Sequence, residues 1–129
     1  MSTSPPRTCQ LLDLLWLHDA EFREFIKSNG GYAWAKGMPT EEHHIFGGTR
    51  RINRVANLIT LSNPVHAYAH HKVQEIRVAC LYRQQQLKRL EWGVLDECFG
   101  GRPGRVRGLI ESRPLTGVYE TWRKELLNA

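Results

Sequence analysis

The chain has no cysteines placed to work together. Its three, Cys9, Cys80 and Cys98, are far apart and odd in number, and no Cys-x-x-Cys pair occurs. That argues against a disulfide framework and against a four-cysteine zinc knuckle, and favours a reducing compartment. Long apolar runs are missing too. The longest candidate, Leu11 to Leu17, is broken by Asp13 and falls well short of the roughly 18 residues a membrane span needs. Met1 to Pro6 is polar and proline-bearing, and no small-residue cleavage site follows the next apolar stretch, so no secretory leader is expected. Internal repeats and low-complexity tracts are absent. A cytoplasmic protein with no membrane partner is the expectation.

Acidic residues are outnumbered, 13 against 18 Lys plus Arg, leaving a net charge of +5. Moderate basicity fits a polyanionic partner without proving one. With 129 residues, 41% of them hydrophobic, one core and one domain are expected without staples.

Residues 1 to 8 read as a loose tail. Cys9 to Leu17 is apolar with a period that fits helix or strand equally. Asp19 can cap a helix through Ala20, Phe22, Phe25 and Ile26 that stops at Asn29-Gly30-Gly31, because glycine accepts a left-handed helix end. Tyr32 to Thr40, with Gly37 and Pro39, reads as a loop. His43 to Phe46 and Asn57 to Leu61 are strand candidates. Asn63 as N-cap and Pro64 at the first helical position then open a helix expected to run into the Gln84 to Leu90 region. Val65, Ala69, Val73, Ile76 and Cys80 keep helical spacing on its buried stripe. Gly93 and the Gly100-Gly101-Arg102-Pro103-Gly104 run break up the later chain, and a last amphipathic helix is expected over Val118 to Leu127.

Five of the six histidines lie between positions 43 and 71. His66 and His70 are four apart on the expected helix and share a face, so two imidazoles can chelate one divalent ion. The acidic residue a zinc protease carries beside its first helical histidine is replaced here by Ala67, so that chemistry fails. His43 and His44 are neighbours on a strand and point to opposite faces. One can complete a three-histidine site while the other stays free as a general base. Three protein ligands leave positions open for water and substrate, as in catalytic sites.

Glu42-His43-His44-Ile45, then Asn57-Leu58-Ile59-Thr60-Leu61-Ser62, then His66-x-x-x-His70 resembles the HNH endonuclease motif, in a three-histidine form similar to that of the colicin DNases. The resemblance spans about thirty residues, with its parts in the family's order and spacing. It implies an α+β fold with a ββα-metal core, a two-stranded antiparallel hairpin plus a helix round one metal ion, with flanking helices. The core would cover about residues 41–90 of a single domain 1–129, between an N-terminal helical segment 9–30 and a C-terminal extension 91–129. By the resemblance His43, His66 and His70 are metal ligands and His44 is the general base. Asn57 matches the asparagine that hydrogen-bonds across the loop and holds that base. The implied activity is metal-dependent hydrolysis of DNA phosphodiesters, leaving 5′-phosphates. An origin in a phage or mobile element follows by analogy.

Around this motif, Glu42 is a candidate partner for a ligand histidine. Arg50, Arg51 and Arg54, between the strands, are candidate phosphate contacts, with Lys72 and Arg77 on the helix, and Arg102, Arg105 and Arg107 after it, as weaker ones. His71 lies about 100° round the helix from His70 and is expected to miss the metal. Trp16, Trp34, Trp92 and Trp122 are read as core or interface aromatics. The ion could be zinc, nickel, magnesium or manganese, and an all-imidazole set favours the first two. The main alternative is a non-catalytic, metal-stabilised DNA-binding module, for which His44 and Asn57 would be unnecessary.

Overall fold

The computed structural model of the chain describes residues 8–47 and 53–128. These form a mixed α+β arrangement of eight α-helices and one two-stranded antiparallel sheet. Among them no helix is long and apolar enough to cross a membrane, and all three cysteines are free thiols.

Three short helices come first: α1 (Leu12–His18), α2 (Ala20–Asn29) and α3 (Tyr32–Gly37). The ambiguous apolar block is thus helical, with Leu12 and Leu15 buried. Asp19 caps α2 as expected, its Oδ1 accepting the Phe22 amide at 3.0 Å. Gly30 ends α2 with φ +138°, and a Cβ there would sit 2.7 Å from the Trp34 ring. Conformation and space both require glycine at this position. The segment from Tyr32, expected as a loop, instead makes the one-and-a-half turns of α3. Gly37 and Pro39 stop it rather than prevent it.

Strand β1 (Thr40–His44) pairs antiparallel with β2 (Leu58–Ser62), Glu42 opposite Thr60 and His44 opposite Leu58. Both strands were expected, but the bounds of each differ. β1 ends at His44 rather than Phe46: the Ile45 amide still donates in register to the Asn57 carbonyl at 2.9 Å, but both backbone groups of Phe46 are taken by the Asn57 side chain. Asn57 closes a 3₁₀ turn (Val55–Asn57) instead of opening β2. The outer edge of β2 is covered by Gln10. Its amide donates to the Thr60 carbonyl and its side-chain oxygen accepts the Thr60 amide, both at 2.8 Å. That removes an open sheet edge.

The expected long helix is two, α4 (Asn63–His71) and α5 (Val73–Gln86), broken at Lys72 (φ −122°, ψ 56°). The N-cap is Ser62 rather than Asn63, without a side-chain capping bond. A single straight helix presents one stripe. α5 is instead enclosed on several sides, burying Ile76, Val78, Ala79, Cys80, Leu81 and Gln84, while Val73 is 49% exposed. The break lets α4 keep a polar histidine face and α5 occupy the core. Three further helices follow: α6 (Trp92–Cys98), α7 (Arg105–Ser112) and α8 (Val118–Leu127). Gly93 lies within the first turn of α6 and does not break it. α8 has the bounds its periodicity implied, and packs Trp122 and Leu126 into the core beside α5.

One buried carboxylate ties distant parts together. Besides capping α2, Asp19 accepts hydrogen bonds from the Tyr68 hydroxyl of α4 at 2.9 Å and from the Tyr119 hydroxyl of α8. Asp19→Ala removes a cap and strands two buried hydroxyls, so unfolding free energy should fall by about 2–4 kcal/mol. Urea denaturation measures this; a change within about 0.5 kcal/mol, the surface-substitution range, would show that the carboxylate is not a structural tie.

Candidate metal centre

The hairpin and α4 bring the histidines to one cleft of about 250 Å³, lined by His43, His44, His66 and His70 and closed behind by Arg77 and Cys80. Strand alternation gives β1 two faces, Glu41 and His43 on one, Glu42 and His44 on the other. The His43 ring lies 5.0 Å from that of His66, and His66 lies 5.0 Å from His70. His43 is therefore the strand histidine that joins the helical pair. His44 makes a separate contact, its Nε2 standing 2.7 Å from the Asn53 side-chain oxygen.

His43 is held neutral. Burial, reinforced by the nearby His66, His44 and His70, lowers its pKa to about 4, against a smaller opposing effect of Glu41. A neutral imidazole retains the lone pair a metal needs. Glu41 supplies a carboxylate next to a ligand candidate, with Oε1 2.9 Å from His66 Nδ1. A carboxylate at that position fixes the ring's tautomer and leaves Nε2 outward. Glu42 lies in β1 opposite Thr60 and borders the openings on both sides of the hairpin.

Among the described residues no three His, Cys, Asp or Glu side chains stand in ready-made ligating positions. The ring spacing and the ring orientation explain this differently. Zn–N bonds of about 2.0–2.1 Å at tetrahedral angles place ligand ring centres about 5 Å apart, which the two observed spacings match. The His66 and His70 rings, however, are stacked at 28° and present faces rather than nitrogens to one another. The donor set suits an ion in number and kind, and side-chain rotation would have to orient it.

Asn57 is fully buried beneath this cleft. Its Oδ1 accepts the Phe46 amide at 2.9 Å and its Nδ2 donates to the Phe46 carbonyl at 3.1 Å. It thus spans the loop, gripping the backbone two residues beyond His44. Behind it Gln84 of α5 donates from Nε2 to the Val55 and Leu58 carbonyls, each at 2.8 Å. Both halves of the loop entrance are pinned from the core.

The basic candidates separate. Arg50 and Arg51 lie outside the described residues. Arg54 is exposed at the start of the 3₁₀ turn; burial pushes the nearby Cys98 thiol up, against a small opposing effect of the Arg54 charge. Lys72 is spent on Glu21 at 2.7 Å. Arg77 lines the cleft, half-buried, with its guanidinium 4.8 Å over the Phe46 ring. Sequence reasoning ranked Arg77 low and missed Glu41 and Asn53. Glu41 could have been found from its two-residue offset to His43. Asn53 carried no signal. The chain matches no protein-family model, no curated protein and no solved structure.

Because the folded pKa of His43 lies below that of an unfolded histidine, the unfolded state binds more protons between about pH 6.5 and 4. Stability should therefore be lost as pH falls through that window. His43→Gln should flatten this part of a melting-temperature profile, and an unchanged profile would show that His43 is not the group responsible.

Proposed function

We propose that the chain is a metal-dependent DNA endonuclease of the HNH type, with β1, β2 and α4 forming a ββα-metal core. The observation that carries this reading is the run of three imidazoles, His43, His66 and His70, at 5.0 Å ring spacings, with His44 on the same cleft but bonded elsewhere. His43, His66 and His70 would hold the divalent ion, with Glu41 behind His66. A bound ion supplies Lewis-acid charge to a scissile phosphate.

His44 takes the proton of the attacking water. With the Asn53 amide oxygen accepting from Nε2, the Nε2–H tautomer is selected and Nδ1 carries the free lone pair. Asn57 acts through the backbone, fixing the Phe46 peptide and hence the end of β1 that presents His44. It is a positioning residue, whereas His44 is the catalytic base. Arg54 and the Arg50–Arg51 pair, in the connection between the strands, are assigned to the DNA backbone, and hydrolysis leaves 5′-phosphates. All-imidazole ligation favours zinc or nickel over magnesium and manganese in affinity.

Plasmid incubated with the protein and magnesium, manganese, nickel or zinc should be nicked or linearised, and chelator should stop it. His44→Ala should keep the metal and lose about 10²–10⁴-fold in rate, the usual contribution of a positioned base. His66→Ala and His70→Ala should weaken metal binding in calorimetry. Metal loss in His44→Ala would exchange the roles of His43 and His44. DNA binding without cleavage in any metal would favour a non-catalytic metal-stabilised module.

A further inference from the structure

The helices after residue 91 contribute no side chain to the lining of the histidine cleft, yet they carry on a charged stack that starts from Arg77 in that lining. The guanidinium carbon of Arg77 in α5 lies over the Phe46 ring, 4.8 Å from its centre. Phe46 packs on Phe99 at 5.2 Å, and Arg105 of α7 lies over Phe99 at 4.4 Å. Two guanidiniums are thus carried on two adjoining phenyl rings, the first inside the histidine cleft and the second at the exposed start of α7.

Neither arginine has a carboxylate within ion-pair distance among the described residues. Burial, with Arg113 nearby, works against the charge of Arg77, a charge that an arginine nevertheless keeps. Stacking on a ring face leaves the in-plane N–H donors of a guanidinium available, and these match phosphate oxygens in pairs.

The second arginine is held in place by its neighbours. The buried carboxylate of Asp96 in α6 accepts the Gly104 and Val106 amides, both at 2.9 Å, bracketing Arg105. At Gly100, with φ +96°, a Cβ would collide with the Arg105 guanidinium. The backbone around Arg105 is thus built to set one exposed cation on an aromatic ring.

We propose that Arg77 and Arg105, stacked on Phe46 and Phe99, form a track for the sugar-phosphate backbone of DNA leading out of the histidine cleft, so that the C-terminal helices serve as the substrate-holding part of the molecule. This rests on the nuclease reading for the identity of the polyanion. Its direct readout is metal-free binding.

The test is fluorescence anisotropy of a short labelled duplex with full-length protein in chelator, over a series of salt concentrations. Each phosphate neutralised contributes about −0.9 to the slope of log affinity against log salt. Arg77→Gln and Arg105→Gln should each reduce the slope by about 1, and Arg105→Lys should restore it, because a point charge suffices for counterion release. Lys27→Gln, at a lysine of α2 paired with Glu24, should change nothing. Thermal melts identify variants that lose stability; Arg105, being exposed, supplies the decisive variant if Arg77→Gln folds poorly. Glutamine variants with the wild-type slope, or a wild type that does not bind the duplex, would overturn the track. A wild type that cleaves plasmid while the variants keep its slope would leave the nuclease reading standing without the track. Slope losses in a protein that never cleaves would do the reverse.

Discussion

The buried amide of Asn57 is the constraint on which the site depends. A primary amide offers both an acceptor oxygen and donor hydrogens, so it can engage both backbone groups of a single residue, and Asn57 does this to Phe46. The bond pair ends β1, because a residue whose amide and carbonyl are both taken by a side chain cannot continue a ladder. It also keeps Phe46 buried with its ring facing Arg77 and Phe99. In a dry location such bonds are worth more than on the surface, and losing one partner leaves the other unsatisfied. Gln84 extends the same logic one layer deeper by gripping the carbonyls on either side of Asn57.

Around that anchor the four cleft histidines are differentiated by their surroundings rather than by their chemistry. His43 is buried among like groups and stays neutral. His66 is turned by Glu41. His44 is held by Asn53. Identical side chains thereby acquire different free nitrogens and different neighbours, which is what a division between ligands and base requires.

The helical frame works at a longer range. Asp19 joins α2, α4 and α8 through one carboxylate, and α4 is the helix that carries His66 and His70. Asp96 does the corresponding job between α6 and α7. Each acidic residue accepts from partners that no local pattern links, one of them 100 positions away in the chain.

Much of the local structure was legible from the residues. Asp19 as a cap, Gly30 as a stop, Pro64 opening a helix and the apolar period of Val118–Leu127 all act through contacts within one or two turns, so short windows of sequence contain their causes. The same holds for His66 and His70 sharing a face and for His43 and His44 parting company. Tertiary contact alone decided the break at Lys72, because a helix enclosed like α5 cannot continue the amphipathic face of α4. It also decided that Glu41 meets His66, that Asn53 meets His44, and that Arg77 rather than Lys72 faces the cleft. These pairings join residues from separate elements, and their partners are chosen by distance after packing. The sequence by itself determined which chemistry was available and on which elements; the fold decided which atoms meet, because desolvation and hydrogen-bond geometry exist only once those elements are packed.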